Sequence, residues 1–253
     1  MKVVSFNIRC QWDKDGINSF IHRIGLIYDK ISSEKPEIIG FQEMTEKHLD
    51  VMKKLFPEYE FFGGGRFANY SGEGLYTAFR KDAFTAVENR IFWISDTPSV
   101  PESKFPCQSI FPRICVATKL FHKQTEKCVA VYNAHLDHRG LEAGEQEDAR
   151  TKGLQCIFNQ IHDDCPVIIL GDFNAKPNHY CMTLCKENGF TDVTNNLAVT
   201  FHNYGNPEKY MKIDYILLSE ELKGSASTAY IWDDMKNGIF LSDHYPVVSE
   251  IDF

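Results

Sequence analysis

The run Val167-Ile168-Ile169-Leu170 is continuously apolar and breaks at Gly171-Asp172-Phe173-Asn174. Such a run is a strand buried on both faces, so the chain must place layers above and below it. An acid and an amide then emerge where a hydrophobic sheet would carry Val or Ile. The same pattern recurs along the chain. Lys2-Val3-Val4-Ser5 leads into Phe6-Asn7, Ile38-Ile39-Gly40 into Phe41-Gln42-Glu43, and Ser242-Asp243-His244 adjoins the final strand. Strand ends that deliver Asn, Glu, Asp, Asn, Asp and His describe a metal-assisted site for phosphate ester chemistry.

Periodicity supplies the rest of the architecture. A strand over residues 2–8 leads to a helix over 18–33, whose apolar positions Phe20, Ile21, Ile24, Ile27, Tyr28 and Ile31 recur at helical spacing, with Pro36 beyond its end. A buried strand at 37–42 precedes a short helix over 45–55. Residues 73–80, 84–93, 113–121 and 127–135 read as meandering strands rich in β-branched and aromatic residues. The most polar helix spans 142–162, with Leu154, Ile157, Phe158 and Ile161 inside, and Pro177 starts the helix carrying Leu184. The last strands fall at 213–218, 227–232 and 246–251. This order predicts an α/β (α+β) fold in one domain over residues 1–253, with two packed sheets flanked by helices.

The 253 residues, 43% apolar with 19 Phe and 11 Tyr, supply a large core and exclude disorder. A net charge of −8 from 27 basic and 35 acidic residues argues against strong duplex DNA binding, which wants a basic face. Eight cysteines without a CxxC pair read as buried free thiols in a reducing compartment. The sequence opens directly on a strand, with neither a signal peptide nor a membrane span, and the expected location is cytoplasmic.

Each polar strand end has a specific chemical use. Asp172 can hold a metal or a nucleophilic water, and Asn174, two residues on, points to the same side if the chain stays extended. Both also suit a plain strand-to-helix turn. Glu43 ends so apolar a strand that its carboxylate needs a partner or an ion, although it also suits the start of the following helix. Asp214, in Lys212-Ile213-Asp214-Tyr215-Ile216, should be buried, and beside His244 it would fix the tautomer and raise the basicity of that imidazole. His135 and His138, in Asn133-Ala134-His135-Leu136-Asp137-His138, raise zinc as the competing reading, but local spacing supplies no third ligand.

In this order Phe6-Asn7, Phe41-Gln42-Glu43, Asn133-Ala134-His135-Leu136, Gly171-Asp172-Phe173-Asn174, Ile213-Asp214-Tyr215-Ile216-Leu217 and Ser242-Asp243-His244 resemble the endonuclease/exonuclease/phosphatase superfamily. The resemblance spans residues 6–244. It implies a four-layer α/β/β/α sandwich of two mostly antiparallel sheets, with the site at the top of the sheets. It implies that Glu43 holds a catalytic Mg²⁺, for which Mn²⁺ can substitute, assisted by Asn7 and Asp243. Asp172 then orients or deprotonates the attacking water, and Asn174 steadies the transition state. His244, oriented by Asp214, acts as base or phosphate ligand. His135 would protonate the leaving oxygen with Glu73 as its orienting partner. Asn7, His135, Asn174 and His244 would contact the substrate phosphate together with Arg113, whose fork suits a bidentate clamp, although Arg113 reads nearly as well as a plain surface arginine.

The expected activity is hydrolysis of a phosphodiester, nuclease-like, or of a phosphomonoester, by in-line attack of an activated water. The partner is a single-stranded nucleic acid, a small molecule or a lipid headgroup; oligomeric state is left open. A family member that binds or scaffolds without turnover is the alternative. The segments 93–111 and 200–204 are candidate specificity loops, although their aromatics read more readily as cover for the core.

Overall fold

Alternation along each strand sorts the apolar residues into three layers, and that sorting is visible in a computed structural model that describes residues 1–140 and 147–253. The elements run β1 (Lys2–Asn7), α1 (Phe20–Glu34), β2 (Ile38–Met44), α2 (Glu46–Leu55), β3 (Tyr59–Gly65), β4 (Gly74–Arg80), β5 (Phe84–Trp93), β6 (Ile114–His122) and β7 (Lys127–His135). There follow α3 (Ala149–Asn159), β8 (Val167–Asp172), α4 (Tyr180–Glu187), β9 (Thr191–Asp192), β10 (Asp214–Leu218), β11 (Tyr230–Ile231), β12 (Met235–Lys236), β13 (Ile239–Phe240) and β14 (Val247–Glu250).

Two six-stranded sheets form, ordered β11-β14-β1-β2-β4-β3 and β5-β6-β7-β8-β10-β9. Each is antiparallel except for one parallel pair, β1 with β2 and β7 with β8. Val3 and Ile38 of the first sheet pack against Val129, Val131, Ile168, Leu170 and Ile216 of the second, which makes the inner core. Val4, Phe6, Ile39 and Phe41 face α1 and α2 on one outside. Tyr132, Val167, Ile169 and Leu217 face α3 and α4 on the other. This is the expected four-layer sandwich.

The sheets approach closely at Gly40, where a Cβ would meet Leu170 Cδ1 at 2.0 Å and the Asn133 side chain at 3.1 Å. Beside it, Gln42 Nε2 donates to Asn133 Oδ1 at 2.9 Å, and Asn133 Nδ2 donates to Phe41 O at 3.0 Å and Tyr76 O at 3.2 Å. These bonds cross the inner core and fix one sheet against the other.

Several expected bounds shift. The helix expected at 142–162 covers only Ala149–Asn159, because Asp148 caps it by accepting from the N–H groups of Arg150 and Thr151; residues 142–146 lie outside the described residues. The strand expected at 227–232 is regular only over Tyr230–Ile231, with Ser227 N and Trp232 N bonding singly to Glu250 O and Pro246 O. In α1, Ile21 and Tyr28 face solvent. The buried turn is taken instead by Arg23, which donates to Ile8 O at 2.8 Å and to Asn18 O and Leu241 O, both at 2.6 Å. Strand β3 was not expected, and it runs through Gly63-Gly64-Gly65 although glycine is depleted in strands. Glycine is required there because a Cβ on Gly63 would sit 2.0 Å from Leu75 O of the adjoining β4.

Candidate active site

The polar strand ends share one face of their sheets. Val3 and Asn7, Ile38 and Gln42, Val131 and His135, Ile168 and Asp172, and Asp214 and Ile216 each differ by an even number of residues, so their side chains point into the inter-sheet layer. In register, His135 and Asp214 both lie opposite Asp172. The inner core therefore ends in two amides, two acids and an imidazole.

Glu43 reaches this layer differently. By strict alternation it would follow Ile39 and Phe41 toward the helices, but the pairing of β2 with β4 slips between Phe41 and Met44, and Glu43 takes a φ of 58°. The bulge turns its carboxylate into the site. Glu43 Oε2 accepts from Cys10 N at 2.9 Å and Oε1 accepts from Asn7 Nδ2 at 3.1 Å.

Asn7 Nδ2 is also 3.1 Å from Asp172 Oδ2 and 3.4 Å from His244 Nε2, so one amide touches three candidate residues. Its own Oδ1 accepts from Arg9 N at 3.0 Å. His244 Nδ1 lies 2.9 Å from Asp214 Oδ2, and its ring packs edge-on against Phe201 at 4.8 Å. Asp243 is buried and pairs with Arg9 Nη1 at 3.5 Å, a partner that its sequence position gave no sign of.

The electrostatics follow from burial and neighbours. Burial and the charge of Asp214 push the Asp172 carboxyl up to about 7. Burial opposes protonation of His244, but Asp214 overrides it and raises that imidazole to about 10. Burial also works against the Glu43 carboxylate, yet the Cys10 N–H, the cationic His244 and the Asn7 amide together hold it below its ordinary value. Burial, reinforced by Arg113, keeps His135 well below its ordinary value, hence neutral.

Two expected arrangements differ in the structure. Asn174 does not continue extended: its φ is 50°, its N–H donates to Asp172 Oδ1 at 2.8 Å, and its Nδ2 donates to Leu136 O at 3.1 Å. Glu73 Oε1 stands 4.0 Å from His135 Nδ1, beyond hydrogen-bond reach, because Arg66 holds its carboxylate through Nη1 at 3.3 Å and Nη2 at 2.9 Å. His135 Nε2 instead approaches Asp172 Oδ2 at 3.5 Å. Arg66 was not singled out in the sequence, where it follows three glycines without a motif. Arg113 is buried beside His135, with Nε 3.4 Å from Asp137 Oδ2 and Nη2 3.0 Å from His138 Nδ1. The aromatics of the two candidate loops mostly face inward: Trp93 and Phe105 are buried, and His202 stacks on Tyr245 at 3.8 Å.

Ligand-bearing atoms of Asp172, Asp214 and His244 lie within 4.8 Å of one another. The 2.9 Å contact of His244 with Asp214 is a hydrogen bond, so that pair is already engaged with itself. The oxygen donors of Glu43, Asp243 and Asn7 are the set a hard divalent cation would choose. Four carboxylates, Glu43, Asp172, Asp214 and Asp243, meet here, with Arg9 and His244 as the cationic groups in contact with them. That excess of buried negative charge fits a divalent cation. Among the described residues, His135 and His138 belong to no cluster of metal-ligating side chains, so the zinc reading has no support.

A sequence model described as the endonuclease/exonuclease/phosphatase family matches residues 4–244. The chain belongs to this family. Its members are hydrolases acting on phosphoester bonds and are generally divalent-metal dependent. An uncharacterized protein of Acanthamoeba polyphaga mimivirus is 25% identical over 276 residues, covering 98% of each chain. A conserved protein of unknown function from Enterococcus faecalis superposes with a TM-score of 0.86 at 26% identity, over 100% of this chain and 99% of its own. A mannosyl-6-phosphatase from Bacteroides thetaiotaomicron superposes with a TM-score of 0.84 at 26% identity, over 100% of both chains. Among the described residues, no helix is long and apolar enough to cross a membrane.

Proposed function

We propose that this protein is a Mg²⁺-dependent phosphoesterase, with Mn²⁺ as a possible substitute, that hydrolyses a phosphodiester or phosphomonoester by in-line attack of water. The observation that carries the reading is the Asn7 amide, within 3.4 Å of Glu43, Asp172 and His244, residues from four separate strand ends. The likeness to a mannosyl-6-phosphatase over both whole chains supports a phosphate ester of a small molecule, in keeping with the acidic net charge.

Glu43, Asn7 and Asp243 would hold the cation, which when bound polarises the phosphoryl oxygen and offsets developing charge by several kcal/mol. Asp172 takes the proton of the attacking water, a task suited to a carboxyl pushed near neutrality. As the new oxygen–phosphorus bond forms, the ester bond on the far side breaks. His244, held cationic by Asp214, pairs with a phosphoryl oxygen, as does Arg113. His135 rests neutral; an entering phosphate favours its protonated form, which then gives its proton to the leaving oxygen. Asp172 Oδ2, 3.5 Å away, is placed to return one. Asn174 fixes Asp172 through its N–H and steadies charge on the phosphoryl group. Glu73 acts on His135 through charge rather than through a hydrogen bond.

The test is product analysis with Mg²⁺ and a panel of sugar phosphates, inositol phosphates, single- and double-stranded nucleic acids, sphingomyelin and an aryl phosphodiester. Turnover by the native protein and its loss in His244→Ala, by at least the roughly 10²-fold typical of acid–base groups, is expected. A protein that binds Mg²⁺ yet hydrolyses nothing in the panel would instead be a binding member of the family.

A further inference from the structure

Asp243, proposed above as a cation ligand, pairs through Oδ2 with Arg9 Nη1 at 3.5 Å. The rest of that guanidinium is held elsewhere: Nε stands 3.2 Å from Asp15 Oδ2 and Nη2 3.3 Å from Asp15 Oδ1. We propose that Arg9 is a built-in competitor of the divalent cation, which must take Asp243 from the guanidinium, and that Asp15 keeps the guanidinium when it lets go. The inference rests on the reading of Glu43, Asn7 and Asp243 as cation ligands and adds to it what limits their affinity.

Anchoring is the first argument. Arg9 takes a φ of 62°, a left-handed turn that a residue other than glycine rarely adopts, and its N–H donates to Asn7 Oδ1 at 3.0 Å. Its carbonyl accepts from Arg23 Nη2 at 3.3 Å. The Asp15 side chain is only 8% exposed, and it accepts from Tyr204 Oη at 3.2 Å as well as from the guanidinium. Its two-pronged grip is the stronger of the two ion pairs that Arg9 makes. Backbone and Asp15 together therefore keep this cation at the site whether or not Asp243 holds it.

The loose end of the guanidinium gives the second argument. At 3.5 Å the contact with Asp243 is an ion pair, longer than the roughly 2.7–3.2 Å of a good hydrogen bond. Asp243 Oδ1 accepts from Ser242 Oγ at 3.1 Å, which leaves Oδ2 as the oxygen that faces Arg9. A divalent ion on that buried carboxylate and the guanidinium beside it repel, with little solvent to screen them. Arg9 can give way at small cost, because Asp15 still neutralises it. An arginine that merely positioned Asp243 would strengthen cation binding, whereas a competitor weakens it. The two roles thus predict opposite signs.

Calorimetric titration of Mg²⁺ alone into native protein, Arg9→Gln, Asp243→Asn and the two combined reads that sign. Arg9→Gln should bind Mg²⁺ about 10-fold more tightly, a size within the coupling found between charged residues in contact. In the Asp243→Asn background the same substitution should change affinity by less than about twofold, because the contested oxygen has lost its charge. Asp15→Asn, which leaves the guanidinium with Asp243 as its remaining paired carboxylate, should bind Mg²⁺ more weakly than native protein. Equal or weaker binding by Arg9→Gln overturns the proposal and leaves the cation site standing, and so does an equal gain in both backgrounds. If the melting curve shows that Arg9→Gln does not fold, Asp15→Asn decides alone: weaker binding supports the competition, and equal or tighter binding overturns it. Failure of native protein and Arg9→Gln alike to bind Mg²⁺ overturns the cation reading and the competition with it.

Discussion

The Asn7 side-chain amide, at the end of β1 in one sheet, stands 3.1 Å from Asp172 Oδ2, at the end of β8 in the other. The two residues are 165 positions apart, and their contact places the candidate base and the candidate cation ligands in one hydrogen-bonded cluster. Position and protonation of Asp172 therefore depend on how the two sheets sit together.

Asp172→Asn keeps the shape of this cluster but removes the group that can take a proton. Turnover on any ester the native protein hydrolyses should fall by at least about 10²-fold with the thermal midpoint nearly unchanged. Steady-state kinetics beside a melting curve checks it, and near-native turnover would remove Asp172 from the role of base.

Glu43→Gln leaves Asn7 and the Cys10 N–H a neutral partner while cancelling the charge offered to the cation. Chelation should abolish hydrolysis, with Mg²⁺ or Mn²⁺ restoring it. In the variant, Mg²⁺ affinity should drop by at least the roughly 10-fold that loss of even an outer partner costs. Calorimetric titration of Mg²⁺ reads this directly, and equal affinity would take Glu43 off the ion.

His48 links stability to pH through the start of α2. Thr45 N donates to His48 Nδ1 at 3.1 Å, so that nitrogen must be unprotonated, and burial, helped by Arg23, lowers the imidazole to about 4 from an ordinary 6.5. Because the folded value is depressed, its contribution is complete above about pH 6.5, declines as pH falls, and is gone below about pH 4, a change on the order of 3 kcal/mol. His48→Gln keeps a capping-box side chain without the titration. Urea midpoints at pH 7.5 and 4.5 should differ less in the variant, and an identical loss in both proteins would contradict the linkage.

Asn133 ties the sheets together beneath the site. Asn133→Ala takes from Gln42 Nε2 one of its two acceptors, Gly40 O remaining, and from the Phe41 and Tyr76 carbonyls their Asn133 donor, and should cost about 1–3 kcal/mol. Chemical denaturation measures that loss, and a change below about 0.5 kcal/mol would mean that the inter-sheet bonds contribute little.

Much of this arrangement was legible in the sequence because strand periodicity and burial are local. A strand that is apolar until its last residue must present that residue at the sheet end, and the even spacing within 3–7, 38–42, 168–172 and 214–216 puts Asn7, Gln42, Asp172 and Asp214 on a common face. The order α/β with meanders dictated two sheets under helices. What the sequence left open depends on contacts between distant segments. Glu43 has the wrong parity for the site, and only the bulge opposite β4 turns it inward. Glu73 looked like the partner of His135 until Arg66, brought alongside, took its carboxylate. Strand β3 went unrecognised, and pairing with β4 carries it through Gly63–Gly65. The sequence by itself determined which side chains stand at the strand ends, since that follows from a two-residue repeat. Tertiary structure alone decided which of them meet, and with what charge, because hydrogen-bond partners and burial are set by segments that the chain brings together only on folding.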